Sequence, residues 1–297
     1  MEEPEIICIT GPTASGKSSL AIQIAKDLGG EIISADSMQV YRHMDIGTAK
    51  PSIEEQNEVR HHLIDIVDPD ENFSASDFRE LASEAIGEIR SRGRRVIVTG
   101  GTGLYMRALT KGLVDTPSSD PALRQSLKEE ADRLGREHLH NRLRELDPAA
   151  AGAIHPNNIV RVIRAIEVAI NSDKTMSEYQ EQHRFSDSPY DVIMLGIDID
   201  RQLLYSRINE RVDKMIDAGL KEEVERLLAL GYSRELKSMR SVGYKEMCAH
   251  IIDGLPIEEA AELIKRDSRR YAKRQMTWLR KEDLRWGDAA ELRKLLN

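Results

Sequence analysis

Short blocks of consecutive apolar residues alternate along the chain with longer stretches in which apolar positions recur every three or four residues. The blocks at 5–10, 31–35, 62–67, 95–99 and 191–198 have the length and β-branched content of buried strands. Between them, 17–28 and 76–92 carry one apolar face each; in the first, Leu20, Ile22, Ile24, Ala25 and Leu28 supply it. This alternation of strand-length blocks with helical patterns predicts an α/β fold, a mostly parallel sheet flanked by helices. The strand signal stops near Gly112 and returns at Val192. In that gap Pro117-Ser118-Ser119-Asp120-Pro121 opens helical patterns over 122–134, 136–145 and 158–170, divided at Asp147-Pro148 and His155-Pro156. The predicted organisation is a core in two parts, 1–111 and 191–297, interrupted by an all-helical insertion over 112–190. Beyond the last strand the chain reads as helical to nearly its end.

Composition adds limits rather than new elements. Over 297 residues, 40% hydrophobic and 32% charged content fits a globular protein in water, and no apolar run reaches the ~18 residues of a membrane span. The acidic start Met1-Glu2-Glu3-Pro4 runs into a strand and does not read as a secretory signal. Cys8 and Cys248 form no zinc or Cys-x-x-Cys pattern and are expected as reduced thiols in a cytoplasmic protein. A net charge of −8 speaks against a polyanionic partner, yet nine basic residues fall between Lys265 and Arg285. A local basic face binds phosphates even on an acidic chain, whereas a solvated helix with internal ion pairs has the same composition.

The strongest chemical signal is Gly11-Pro12-Thr13-Ala14-Ser15-Gly16-Lys17-Ser18, a G-x-x-x-x-G-K-[ST] phosphate loop between the first strand and the first helix. Gly11 and Gly16 let successive N–H groups and the helix N-terminus face an anion. Lys17 reaches the terminal phosphates in such loops, and Ser18 is the candidate Mg²⁺ ligand. The context predicts a P-loop NTPase-like core.

Three other segments stand where strands end, which is where open α/β sheets bind ligands. Asp36, in Ser34-Ala35-Asp36-Ser37-Met38-Gln39, is a candidate general base or outer Mg²⁺ partner, or alternatively an Asx turn. The strand at 95–99 runs into Gly100-Gly101-Thr102-Gly103 rather than the acidic residue that an ATP-hydrolysing enzyme places there, which argues against ordinary ATP hydrolysis. Thr102 is placed to donate toward a phosphate or leaving-group oxygen. Ile64-Asp65-Ile66-Val67-Asp68 offers another acid, ranked below Asp36. Arg207 and Arg211 share a helix face and could clamp a pyrophosphate, although Glu210 and Asp213 beside them also suit surface ion pairing. Arg161 and Arg164 have the same two readings, and the eight histidines complete no metal pattern.

With these segments assembled, the chain resembles the tRNA dimethylallyltransferases over nearly its whole length. The resemblance is carried by the phosphate loop at 11–18, Ala-Asp-Ser-Met-Gln-Val-Tyr-Arg at 35–42, Met-Asp-Ile-Gly-Thr-Ala-Lys-Pro at 44–51 and Gly-Gly-Thr-Gly-Leu-Tyr at 100–105. It continues in Arg-Ala-Ile-Glu at 164–167, Arg-Ser-Val-Gly-Tyr-Lys at 240–245 and Ala-Lys-Arg-Gln-Met-Thr-Trp-Leu-Arg at 272–280. It implies transfer of a dimethylallyl group from its diphosphate to the exocyclic amine of the adenosine 3′ of the anticodon, position 37, in tRNAs reading codons that begin with U. The phosphate loop then holds the substrate's diphosphate, with Mg²⁺ on Ser18, rather than ATP. By the same resemblance Asp36 takes the amine proton, Thr102 hydrogen-bonds near the reacting centre, and Arg207 neutralises the leaving group. The implied tRNA contacts are Asp36, Ser37, Met38 and Gln39 at the target base, then Arg124, then Val160, Arg161, Val162, Ile163 and Arg164 in the insertion. They continue through Arg240, Ser241, Val242, Gly243, Tyr244 and Lys245 to Lys273, Arg274 and Arg280 on the basic helix, where Tyr271 and Trp278 interleave. Relatives usually carry Gln or Arg where this chain has Val160. A zinc-binding C-terminal extension of the eukaryotic kind is not expected, and a monomer is. Adenylate isopentenyltransferases share the chemistry but are typically shorter and lack the large insertion; a small-molecule or nucleoside kinase would use the same loop with ATP, and a non-catalytic switch protein would bind nucleotide there.

Overall fold

The computed structural model describes residues 6–114, 116–183 and 190–296. The chain divides into two compact units, Met1–Thr110 with Tyr190–Asn297, and Lys111–Pro189.

The first unit is built on six parallel strands: β1 (Ile6–Thr10), β2 (Gly30–Ser34), β3 (His61–His62), β4 (Arg95–Gly100), β5 (Val192–Ile197) and β6 (Arg285–Gly287), in the order β3-β2-β4-β1-β5-β6. β1 is central because all its side chains are apolar or small, and both faces are covered. Ile6 and Cys8 join Ile33, Val96 and Val98 on one face, whereas Ile7 and Ile9 join Ile32, Ile97 and Leu195 on the other. Helix α1 (Lys17–Leu28) lays Leu20, Ile24 and Ala25 on the second face. The short α2 (Ile53–Glu58) follows β2, and α3 (Ala75–Ser91) packs Phe78, Ala82 and Ile86 on the first face before β4; α4 (Gly103–Lys111) follows it.

Two expectations need correction. The block at 62–67 does not run on as a strand: Leu63 and Asp65 take φ of +62° and +56°, which turns the chain out of the extended conformation after His62. Asp65 is then tied to Lys50 at 2.5 Å, and Asp68 to Arg42 at 3.0 Å. The expected all-helical tail contains β6, whose three residues pair with Leu195–Ile197.

The second unit comprises α5 (Pro121–Leu134), α6 (Arg136–Leu146), α7 (Pro148–Ala153), α8 (Ile159–Asn171) and α9 (Met176–His183), packed around Leu127, Leu139, Leu143, Val162 and Ile166. Asp120-Pro121 and Asp147-Pro148 both start helices: each aspartate caps an N–H, of Leu123 and Ala150, and each proline takes the first helical position. Glu167, fully buried, accepts two hydrogen bonds from Arg124 at 2.8 Å, one from Asp120 N–H at 2.6 Å, and an ion pair from Arg164. Burial alone would raise its carboxyl; the two guanidinium groups and the N–H hold it below its ordinary value.

The chain returns to the first unit through α10 (Arg201–Asp217), capped by Asp200, then α11 (Leu220–Ala229), α12 (Tyr244–Asp253), the long α13 (Ile257–Leu279) and α14 (Ala289–Lys294). Among the described residues no helix is long and apolar enough to cross a membrane. Cys8 and Cys248 are free, buried thiols, and burial pushes Cys8 up to about 12.

Candidate active site

The loop after β1 turns through left-handed conformations at Ala14 (φ +64°) and Gly16 (φ +92°), closed by Ser15 N–H donating to the Pro12 carbonyl at 3.2 Å. Gly16 caps α1 without a side-chain acceptor, so the N–H groups of the first turn are left for an anion. Lys17 lies against the loop, its Nζ 3.4 Å from the Pro12 carbonyl. Burial lowers its ammonium to about 8, with Asp36 opposing that shift and Arg211 adding to it.

Arg211 donates to Thr13 Oγ1 at 3.0 Å, and its guanidinium is lowered by burial although Asp36 counters the effect. Arg207, one turn earlier on α10, is exposed. Glu210 is taken by Ser206 and Asp213 by Lys265, so among the described residues neither arginine forms a carboxylate ion pair. The surface-pairing alternative is not realised, and both cations border the phosphate loop.

Asp36 follows β2 and serves two ends. Its Oδ1 accepts from Met38 N–H at 2.9 Å, the Asx turn, while the carboxylate lines a cavity shared with Lys17 and Arg211. Ser37 N–H donates to Thr102 Oγ1 at 3.0 Å, so Thr102 fixes the 36–39 loop from behind. Tyr271 lines the same cavity, and burial pushes its hydroxyl up to about 12.

Gln275 is a site residue that sequence reading missed. Its Oε1 accepts from Thr13 N–H at 2.9 Å and its Nε2 donates to the Gly101 carbonyl at 3.0 Å, which ties the phosphate loop to the glycine turn after β4. Gly101 is required by that approach: a Cβ there would stand 2.2 Å from Nε2. The available signal was an amide inside the buried stripe Ala260, Ile264, Ala272, Gln275, Leu279 of α13.

The cavity measures about 440 Å³ and is lined further by Gly47, Thr48, Arg274 and the whole of 240–245. Within that stretch Arg240 pairs with Glu235, Lys245 pairs with Asp267 at 3.0 Å, Ser241 Oγ donates to the Ser238 carbonyl, and Tyr244 is 1% exposed. On its other side the loop faces an open depression of about 910 Å³ bordered by Gly16, Ser18, Arg207 and Lys214; Lys17, Ser18 and Arg211 border both spaces. The basic residues on and just beyond α13 differ in their partners, and Arg269 donates to Asn209 Oδ1. Lys265, Arg266 and Arg270 are ion-paired, as the solvated-helix reading expects, whereas Lys273, Arg274 and Arg280 are exposed with no carboxylate partner among the described residues. Arg274 stands over the Tyr271 ring at 5.7 Å.

In the helical unit the side chains of Val162 and Ile163 point into its core, so of 160–164 only Val160, Arg161 and part of Arg164 face outward. Arg124 and Arg164 are both engaged by Glu167, and Arg164 also donates to Thr116 Oγ1 and the Pro117 carbonyl.

The profile of a family described as IPP transferase matches residues 39–282. A protein from Geobacter metallireducens named tRNA dimethylallyltransferase is 55% identical over 281 residues, 95% of this chain and 91% of its own length; one of the same name from Geobacter sulfurreducens is 53% identical over 283 residues, again 95% and 91%. Among solved structures, a tRNA isopentenylpyrophosphate transferase from Bacillus halodurans is similar with a TM-score of 0.71 and 42% identity, covering 99% of this chain and 96% of that one. A eukaryotic dimethylallyltransferase acting on tRNA gives a TM-score of 0.83 at 30% identity over 97% of this chain and 74% of that one.

Proposed function

The chain belongs to the IPP transferase family, and we propose that it transfers a dimethylallyl group from its diphosphate to the N6 amine of adenosine 37, beside the anticodon, in tRNAs reading UNN codons. It is a tRNA prenyltransferase like its relatives. The observation that carries the assignment of roles is the convergence of Asp36, Lys17 and Arg211 on one cavity between the phosphate loop and residues 240–245.

The donor's diphosphate enters from the open depression and lies on the N-terminus of α1, against Lys17, Arg211 and Arg207. The adenine, flipped out of its stack, enters the cavity that holds Asp36 from the side of 240–245. The amine nitrogen attacks the allylic carbon, the carbon–oxygen bond breaks, and its electron pair leaves on the diphosphate. Lys17, Arg211 and the helix N–H groups stabilise that charge as it develops. The amine proton passes to Asp36, whose Asx turn fixes the carboxylate. An aromatic amine is a weak nucleophile, so Ser37, Thr102 and Tyr271 contribute by holding the geometry.

Ser18, on the first turn of α1, would hold Mg²⁺. Its hydroxyl is a hard oxygen beside the phosphate loop, the donor type such a cation takes. Such an ion would supply positive charge against the diphosphate. The exposed Lys273, Arg274 and Arg280 are assigned to the RNA backbone, Arg161 and Val160 to the insertion's RNA contact, and the enzyme to the cytoplasm as a monomer. The test is incubation with Mg²⁺, labelled dimethylallyl diphosphate and either a UNN-reading tRNA or AMP. Label in tRNA alone is expected; label in AMP would assign the protein to free-nucleotide prenylation instead.

A further inference from the structure

Helix α11 carries a glutamate within its buried stripe of Leu220, Glu223, Val224 and Leu227, and Glu223 is 1% exposed. Its Oε2 accepts from the N–H groups of Asp45 (2.9 Å) and Ile46 (2.8 Å). Its Oε1 accepts from Gly47 N–H (3.1 Å) and from the Tyr244 hydroxyl (2.7 Å). A carboxylate offers about four lone-pair sites, and four donors fill them. Among the described residues no cation pairs with this carboxylate, so its charge is answered by backbone dipoles and a phenol.

The segment so gripped opens the Met44–Pro51 motif, for which the phosphate loop and Asp36 supply no use. Gly47, Thr48 and Tyr244 line the cavity that holds Asp36 and not the open depression. Gly47 and the Tyr244 ring are in such close approach that a Cβ on Gly47 would lie 2.4 Å from the ring. The segment is joined to the Asp36 loop as well, since Gln39 Nε2 donates to the Ala49 carbonyl at 3.2 Å.

We infer that Glu223 is a positioning residue for the acceptor base: it locks Asp45–Gly47 against Tyr244 and thereby fixes the wall of the cavity that receives the adenine. This rests on the tRNA-transfer reading above. Gln at 223 presents an amide NH₂ to two of the four donors and leaves them unpaired; Asp, shorter by one methylene, cannot span all four. Tyr244→Phe removes one of the four and keeps the ring.

The experiment measures KM for tRNA, KM for dimethylallyl diphosphate, and equilibrium binding of inorganic pyrophosphate for wild type, Glu223→Gln and Tyr244→Phe, with a melting curve for each. Asp45 and Ile46 border the donor side, so the two substrates are titrated separately. The expected result is a KM for tRNA raised about tenfold in Glu223→Gln, equivalent to about 1.4 kcal/mol, and about threefold in Tyr244→Phe, with pyrophosphate binding within about twofold of wild type. Equal losses toward tRNA and pyrophosphate, or an unchanged KM for tRNA, overturn the inference. If Glu223→Gln does not fold, the split in Tyr244→Phe decides. Wild-type protein that transfers no label to tRNA refutes the functional reading itself, whereas active wild type with unaltered variants refutes only the role of Glu223.

Discussion

Gln275→Met keeps the length of a side chain that joins two loops and removes both of its hydrogen bonds. Thr13 N–H loses an acceptor at 2.9 Å and the Gly101 carbonyl loses a donor at 3.0 Å, at a position only 7% exposed. A buried backbone group left unpaired costs about 1–3 kcal/mol, and water from the adjoining cavity recovers part of that, so the pair is worth about 2–4 kcal/mol. Thr13 belongs to the phosphate loop and also holds Arg211. About 1.4 kcal/mol of the loss should therefore appear as a tenfold weaker affinity for pyrophosphate. Titration calorimetry with pyrophosphate reads this directly, and a melting curve should fall by about 5 °C. Gln275→Glu keeps the acceptor but loses the donor and sets a negative charge beside the anion site, so it should bind pyrophosphate more weakly still. Pyrophosphate affinity within twofold of wild type in Gln275→Met, at an unchanged melting temperature, would refute the reasoning.

Other consequences follow from the titratable groups. Lys17 is held at about 8, so its charge is present below that pH and lost above it; pyrophosphate affinity should decline above about pH 8, and Lys17→Arg should flatten that limb because a guanidinium stays charged. Glu31 is held at about 2, first by hydrogen bonds from Arg92, with burial opposing and His62 at 2.7 Å adding. Its contribution is complete above the unfolded value of 4.5 and is lost as pH falls toward about 2. Glu31→Gln should lower stability at pH 7 by on the order of 2 kcal/mol and remove that acid-dependent loss, as read by urea unfolding at several pH values. Glu167→Ala leaves Arg124 and Arg164 without their carboxylate and should destabilise the helical unit by about 3 kcal/mol, seen as faster proteolysis within 112–183.

What could be read in advance divides along physical lines. The phosphate loop was legible because its glycines, lysine and serine act through backbone geometry and fixed spacing. The buried strands were legible because β1, β2, β4 and β5 each carry a core of consecutive β-branched or other apolar residues, such as Ile6–Ile9, Ile32–Ile33 and Val96–Val98, and the Asp-Pro pairs at 120–121 and 147–148 marked helix starts through their capping chemistry. β6 was hidden because Arg285–Gly287 has no apolar pattern and is a strand only through pairing with Leu195–Ile197. The block at 62–67 misled because its apolar residues are real but two left-handed turns interrupt them. Glu223 and Gln275 were illegible as site residues for a third reason. A charged or amide side chain on a helix reads as solvated until tertiary structure supplies its donors and acceptors, here from loops 176–178 and 174–262 residues away in sequence. For the same reason the basic residues on and just beyond α13 could not be sorted in advance by their partners.

The assignment of Asp36 as the base is the centre of the account, and Asp36→Asn tests it most directly because the amide oxygen can still accept from Met38 N–H. Single-turnover transfer of labelled dimethylallyl to saturating tRNA should slow by about 10²–10⁴-fold, with tRNA binding and pyrophosphate binding within a few-fold of wild type. A transfer rate within about threefold of wild type would show that the proton leaves by another route and would contradict the account.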